Sequence, residues 1–188
     1  MKQPTRSMLD PKQIYLHGFS FQWANERLRD VKHIQPHEVG MVAHPSMVLS
    51  ALASELYLKC LICIETGKVP DTHNLKHLFR QIDRRHQEHL KALWDSHIQE
   101  PDKLQTLALI EMKTNQKLPR DLNWALEVGS NAFVQMRYIY EPSGANTKFL
   151  LGDFPKLLQV VILEIKPEWA SLRRTPTILP DETATHGQ

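Results

Sequence analysis

Cysteine is almost missing from this chain, and its scarcity removes the disulfide-stapled class at once. Of 188 residues only Cys60 and Cys63 are cysteine, too few for a disulfide framework, and helix geometry strains a bond between them. They are expected to be free thiols in a reducing compartment. The C-x-x-C spacing suits half a metal site, but no second pair exists and the surrounding "LKCLICIE" is apolar, so no metal is assigned. Glycine is also scarce, seven residues with none clustered. No glycine-rich loop is present to cradle a phosphate, so ATP hydrolysis is not expected and no cofactor is assigned. Neither sign of charge dominates: 23 Lys and Arg against 21 Asp and Glu leave a net charge of +2. That balance permits an anionic partner without arguing for one, whereas a DNA-coating protein is usually far more basic. No export segment is visible in "MKQPTRSMLDP", and "LKCLICI" is too short and too near charge to span a bilayer. A cytoplasmic chain without membrane association is the expectation.

What the sequence does have is apolar periodicity. Apolar residues make up 41% of the chain, enough to build a core and to exclude wholesale disorder. Asp10, Pro11 and Gln13 form a helix start, and Ile14, Phe21, Ala24, Leu28 and Val31 follow at helical steps, with Gly18 either weakening the helix or marking a close helix contact. "KHIQPHEVGMVAHP" reads as a loop. A second helix is predicted from Pro45 or Ser46 to Thr66, stopped by Gly67. A long third helix is predicted from Leu75 to His97, its inward face carrying Leu75, Leu78, Phe79, Ile82, Leu90, Leu93 and Trp94. Pro101 starts another, with Leu104, Leu107, Ala108 and Met112 facing inward. "RDLNWALEVGSNAFVQMRYIYE" has helical period up to Pro142. "DFPKLLQVVILEIK" closes the series, its Val and Ile content leaving a strand open as the alternative. The predicted fold is all-α, a single helical bundle of five or six helices over residues 10–166, with residues 171–188 as a flexible C-terminal tail.

Two ionisable residues interrupt the most apolar of these helices. Glu55 and Lys59 stand one turn apart within "ASELYLKCLICIE". On an exposed face such a pair is common and weakly stabilising. This helix has little other polar surface, however, and a buried pair needs more partners than each other. His73, Arg137 and Glu141 are the candidates for an internal polar cluster or an anion-binding site, with Lys59 and Arg137 as the groups to grip a phosphate or carboxylate.

The pattern "SELYLKCLI … THNLKHLF … AFVQMRYIYE" resembles the HEPN superfamily, helical-bundle proteins of prokaryotic defence, toxin–antitoxin and nucleotide-handling systems. The resemblance spans roughly residues 10–142. It falls on Glu55 and Lys59, on His73 and Leu75, and on Arg137, Tyr138, Tyr140 and Glu141. It implies that these positions meet in one charged cluster between helices.

The chain departs from the ribonuclease members of that superfamily. Those carry an Arg and, a few residues beyond it, a His near the start of the last core helix. The Arg stabilises charge on the attacked phosphate and the His serves as acid or base. "SNAFVQMRYIYEP" has no histidine. The spacing recurs in "RQIDRRHQEH", which places His86 six residues beyond Arg80 and His89 five beyond Arg84, and the catalytic candidates are Arg84 and His89. On a regular helix five residues turn through about 500°, which leaves this pair about 140° apart, so convergence needs a dimer or a bend. The competing account is a solvated basic face of Arg80, Arg84 and Lys91, with His86 tucked against the core. His73 and His77 have metal-pair spacing but no third ligand. Trp23, Trp94, Trp124 and Trp169 lie on separate elements, as core anchors do.

Three functions stay open. The leading expectation is a non-catalytic HEPN-like module acting through a protein or RNA partner. The alternatives are a metal-independent endoribonuclease of toxin type and a binder or sensor of a small anionic metabolite. Phe19, Trp23 and other apolar residues off the main stripes of the first and last helices predict a homodimer.

Overall fold

The computed structural model describes residues 10–30, 39–132 and 150–174. Asp10 opens the first helix as its spacing predicts: its Oδ1 accepts from the Lys12 N–H at 2.9 Å, and Pro11 takes the first helical position of α1 (Pro11–Leu28). Gly18 lies where α1 meets the second helix. A Cβ placed on it stands 2.9 Å from two ring carbons of Tyr57, closer than any packed side chain sits.

The central element is α2 (Val39–Thr66). It begins well before Ser46 and takes in part of the segment expected to be a loop, with Pro45 inside it. Proline has no N–H, so the Met41 carbonyl lacks its usual intrahelical donor there. The stop at Gly67 is as the sequence indicates. Its φ of 70° is left-handed and its N–H returns to the Cys63 carbonyl at 2.9 Å. Ala53, Tyr57, Leu58, Cys60 and Leu61 are fully buried along α2, which packs against α1 and against the third and seventh α-helices defined below.

The long third helix divides in two, α3 (Leu75–Phe79) and α4 (Arg84–Ile98). Asp83 is the cause. Its carboxylate caps α4 by accepting from the Arg85 N–H at 2.8 Å, and its own N–H donates to Glu65 Oε2 at 2.8 Å. A residue held by both bonds is a helix start. The apolar side chains of both pieces, Leu75, Leu78, Phe79, Ile82, Leu90 and Trp94, still enter one core.

Next comes α5 (Pro101–Thr114), ended by Asn115 in the left-handed region at φ 49°. Leu107 is buried, but Ala108 and Met112 face outward, Met112 with 71% of its surface exposed. Then α6 (Leu122–Ser130) is capped by Asp121, whose Oδ1 accepts from the Trp124 N–H at 2.9 Å. The rest of the predicted helix, through Arg137 and Glu141, lies outside the described residues. The Val- and Ile-rich segment forms α7 (Phe154–Ile165), a helix rather than a strand. A 3₁₀ helix, Pro167–Arg174, follows. It sets Trp169 into the core, 5.3 Å from the ring of Tyr15.

The all-α class therefore holds, but the expected number of helices does not. The described residues contain eight helices, seven α and one 3₁₀, instead of five or six. The excess comes from the break that Asp83 imposes and from the 3₁₀ helix beyond Lys166.

Within α2, Met41–Thr66 is long and apolar enough to cross a membrane by length and composition, with mean hydropathy 1.8. The run is thus longer than "LKCLICI" alone suggests, and 67% of its most apolar window is buried inside the fold. A core helix and a spanning helix share these properties.

Candidate functional site

In the acid–base pair of α2, Glu55 is buried and Lys59 largely so. Glu55 Oε1 accepts from Lys59 Nζ at 3.0 Å, and the two side chains are only 8% and 11% exposed. The same oxygen meets His73 Nδ1 at 2.9 Å, from the turn that leads into α3. His73 itself is largely exposed. Glu55 thus ties its own helix to the following turn through one oxygen, and Lys59 is committed to it. Arg137 and Glu141, the other expected members of this cluster, lie outside the described residues.

The ribonuclease-like spacing is brought to no common point. Arg84 stands at the first position of α4 and its Nε bonds Glu88 Oε1 at 2.9 Å, both side chains well exposed. His89 faces α7, where Nε2 meets Glu164 Oε2 at 3.1 Å. His86 is half-buried, its side chain 11% exposed and its Nδ1 2.6 Å from Glu65 Oε1, in keeping with the expectation that it tucks against the core. The expected basic face is interrupted. Arg80 is the C-cap of α3, whereas Arg84 and Lys91 belong to α4 across the break, so the three share no helix although all are exposed. Among the described residues no group of three His, Cys, Asp or Glu is placed to hold a metal ion. Burial, with smaller contributions from Cys63 and Asp10, pushes the Cys60 thiol up to about 12. Its Sγ donates to the Pro11 carbonyl at 3.3 Å. A thiol of that kind is not a nucleophile at neutral pH.

A second charged centre was not foreseen. Asp153 is the N-cap residue of α7 and is buried. Its Oδ1 takes Arg29 Nη1 at 3.1 Å and Lys156 Nζ at 3.2 Å, and its Oδ2 is bonded by Lys103 Nζ. His97 Nε2 stands 3.6 Å from Oδ2, and its Nδ1 meets Glu100 Oε1 at 2.9 Å. Burial alone raises the Asp153 pKa. The Lys103 hydrogen bond and the charges of Arg29, Lys103 and Lys156 outweigh it and hold the carboxyl well below the usual carboxylate range. Three cations around one carboxylate leave a local excess of positive charge. The cluster forms one end of a cavity of about 520 Å³ between α2, α4, α5 and the Leu150–Asp153 turn. The remaining wall is mainly apolar, with Met47, Trp94, Ile98 and Leu107 among its residues.

Arg29 and Asp153 of this centre are 124 residues apart in sequence. The local signal that was available is Asp153 followed by Pro155 and Lys156, an acid at a helix start. No family model matches the chain, and neither does any curated protein or solved structure.

Proposed function

We propose that this chain is a non-catalytic, HEPN-like helical module that acts through a protein or nucleic-acid partner, in the defence or regulatory setting that the resemblance implies. The observation that carries this reading is the disposition of Arg84 and His89. Metal-independent cleavage of RNA needs a cation on the attacked phosphate and an acid or base beside the 2′-oxygen, both aimed at one small volume. Here Arg84 pairs with Glu88 of its own helix and His89 with Glu164 of α7. Each candidate is engaged by a separate carboxylate.

Association with a second copy fits the same reading. Trp23 on α1 and Val160 on α7, the two helices whose outer apolar residues suggested a dimer, are 51% and 43% exposed. Labelled RNA incubated with the protein and EDTA is the test of the function. The expected result is intact RNA; cleavage that persists in EDTA and disappears in His89→Ala overturns the non-catalytic reading in favour of the endoribonuclease. Sedimentation at micromolar concentration tests the dimer, and a single species at the chain mass of 21.8 kDa counts against it.

A further inference from the structure

The cavity beside Asp153 has the chemistry of a ligand site. Its volume of about 520 Å³ falls within the range of roughly 300–1,000 Å³ usual for small-molecule sites. Such sites combine an apolar wall with a few convergent polar groups, and this one is divided in that way. Val42 and Met47 of α2, Trp94 and Ile98 of α4, and Leu107 and Ile110 of α5 make the apolar wall. Arg29, Lys103 and Asp153 stand together at the polar end.

The charge count at that end is uneven. Among the described residues two cations, one carboxylate and His97, whose Nε2 stands 3.6 Å from Asp153 Oδ2, line the cavity, with Lys156 adding a further cation on Asp153 from outside the lining. Both Asp153 oxygens are already occupied, Oδ1 by Arg29 and Lys156 and Oδ2 by Lys103. The carboxylate holds the cationic heads in place without exhausting them. Arg29 carries five N–H donors and, among the described residues, uses only Nη1 on Asp153 and the Gly152 carbonyl, and an ammonium group such as that of Lys103 has three donors. One further negative charge balances the lining. A purely apolar ligand leaves the excess cation uncompensated, and a cationic ligand is repelled.

We propose that this cavity binds a medium-chain monocarboxylate, its head on the free donors of Arg29 and Lys103 and its aliphatic body along the Trp94–Ile98–Leu107 wall. The site involves neither Glu55 nor the Arg84–His89 stretch, so it stands or falls independently of the partner-binding function.

Isothermal titration of the full chain with decanoate and with decanol at neutral pH and low salt tests it. The expected result is one saturable site, with decanoate binding at least about tenfold more tightly than decanol, the scale of one charge-assisted hydrogen bond. Two variants locate the site. Ala43→Trp places a bulky ring in the cavity without removing a charged group and is expected to abolish decanoate binding. Arg29→Gln is expected to reduce decanoate affinity to the level of decanol, while Lys103 and Lys156 still hold Asp153. Circular dichroism melts report whether each variant is folded. Absence of saturable decanoate binding, equal affinity for decanol, or unchanged binding in a folded Ala43→Trp or Arg29→Gln protein overturns the proposal. The comparison of decanoate with decanol needs no variant and decides the matter even if neither folds.

Discussion

Tyr57 donates its hydroxyl proton to Gln22 Oε1 at 2.8 Å across the contact between α2 and α1, deep in the core. The bond is one side of a closed ring. Gln22 Nε2 donates to Gln159 Oε1 of α7 at 3.2 Å, and Gln159 Nε2 donates back to the Tyr57 hydroxyl at 3.1 Å. Three helices are thereby held by three polar side chains, each both giving and accepting. A buried network satisfied in this way fixes how its helices register, because sliding any one of them strands a polar atom away from water.

Tyr57→Phe is expected to keep the packing of the ring and leave Gln22 Oε1 without its donor. An unsatisfied buried acceptor costs about 1–3 kcal/mol. Urea denaturation of the variant is expected to show a loss in that range with an unchanged denaturant slope. A loss below about 0.5 kcal/mol is what an exposed substitution gives and contradicts the ring.

Gly18→Ala sets two effects against each other. Alanine gains about 1 kcal/mol over glycine within a helix, but its methyl stands 2.9 Å from Tyr57 Cδ1 and Cε1. Tyr57 is fully buried and held by the polar ring, so it has nowhere to move. Overpacking costs about 1–3 kcal/mol, and the net change in a thermal melt is expected to be destabilising. A stabilised Gly18→Ala protein means that α1 and α2 are not in close contact.

Lys59→Met leaves Glu55 buried with, among the described residues, only the exposed His73 as its partner. Breaking a buried pair costs about 3–5 kcal/mol, against about 0.3–0.5 kcal/mol for an exposed pair one turn apart. Urea melts at neutral pH separate the two outcomes. A difference under about 1 kcal/mol contradicts a buried tie between α2 and the His73 turn, being the most that exposed pairs contribute.

Asp153 is expected to contribute to the acid limb of stability. Its pKa in the folded chain lies below the ordinary value of 3.8, so the unfolded chain takes up its proton first as pH falls. The contribution is complete above about pH 3.8, declines as the pH drops further, and is lost as pH falls through the folded pKa. Asp153→Asn is expected to remove it at neutral pH, at the lower end of about 3–5 kcal/mol. Arg29 and Lys156 are 39% and 52% exposed and stay partly solvated after the change. The variant is also expected to lose less stability than the parent between pH 4 and 2, a range set by the depressed carboxyl. Parallel acid-denaturation curves for the two proteins contradict this assignment.

The sequence by itself determined the all-α class, the caps at Asp10 and Gly67 and the near-complete burial of Glu55 with Lys59. Each rests on neighbours within a helical turn or on the polarity of one face, and that information is local. The break at Asp83 was also local, an acid that caps α4, but an apolar stripe running unbroken from Leu75 to Trp94 concealed it. Periodicity reports which side chains face the core and does not register a short kink that keeps them there. Ala108 and Met112 show the converse, apolar residues at helical spacing on a helix whose outer side nothing in the described residues covers.

Only the tertiary structure decided the Tyr57–Gln22–Gln159 ring and the cationic shell around Asp153. Their members come from helices more than a hundred residues apart, as in the bonds from Gln159 to Tyr57 and from Arg29 to Asp153. Glutamine, lysine and arginine are ordinary surface residues in a one-dimensional pattern. What makes them a core network or a ligand site is the loss of water around them, and that loss comes from packing between distant helices.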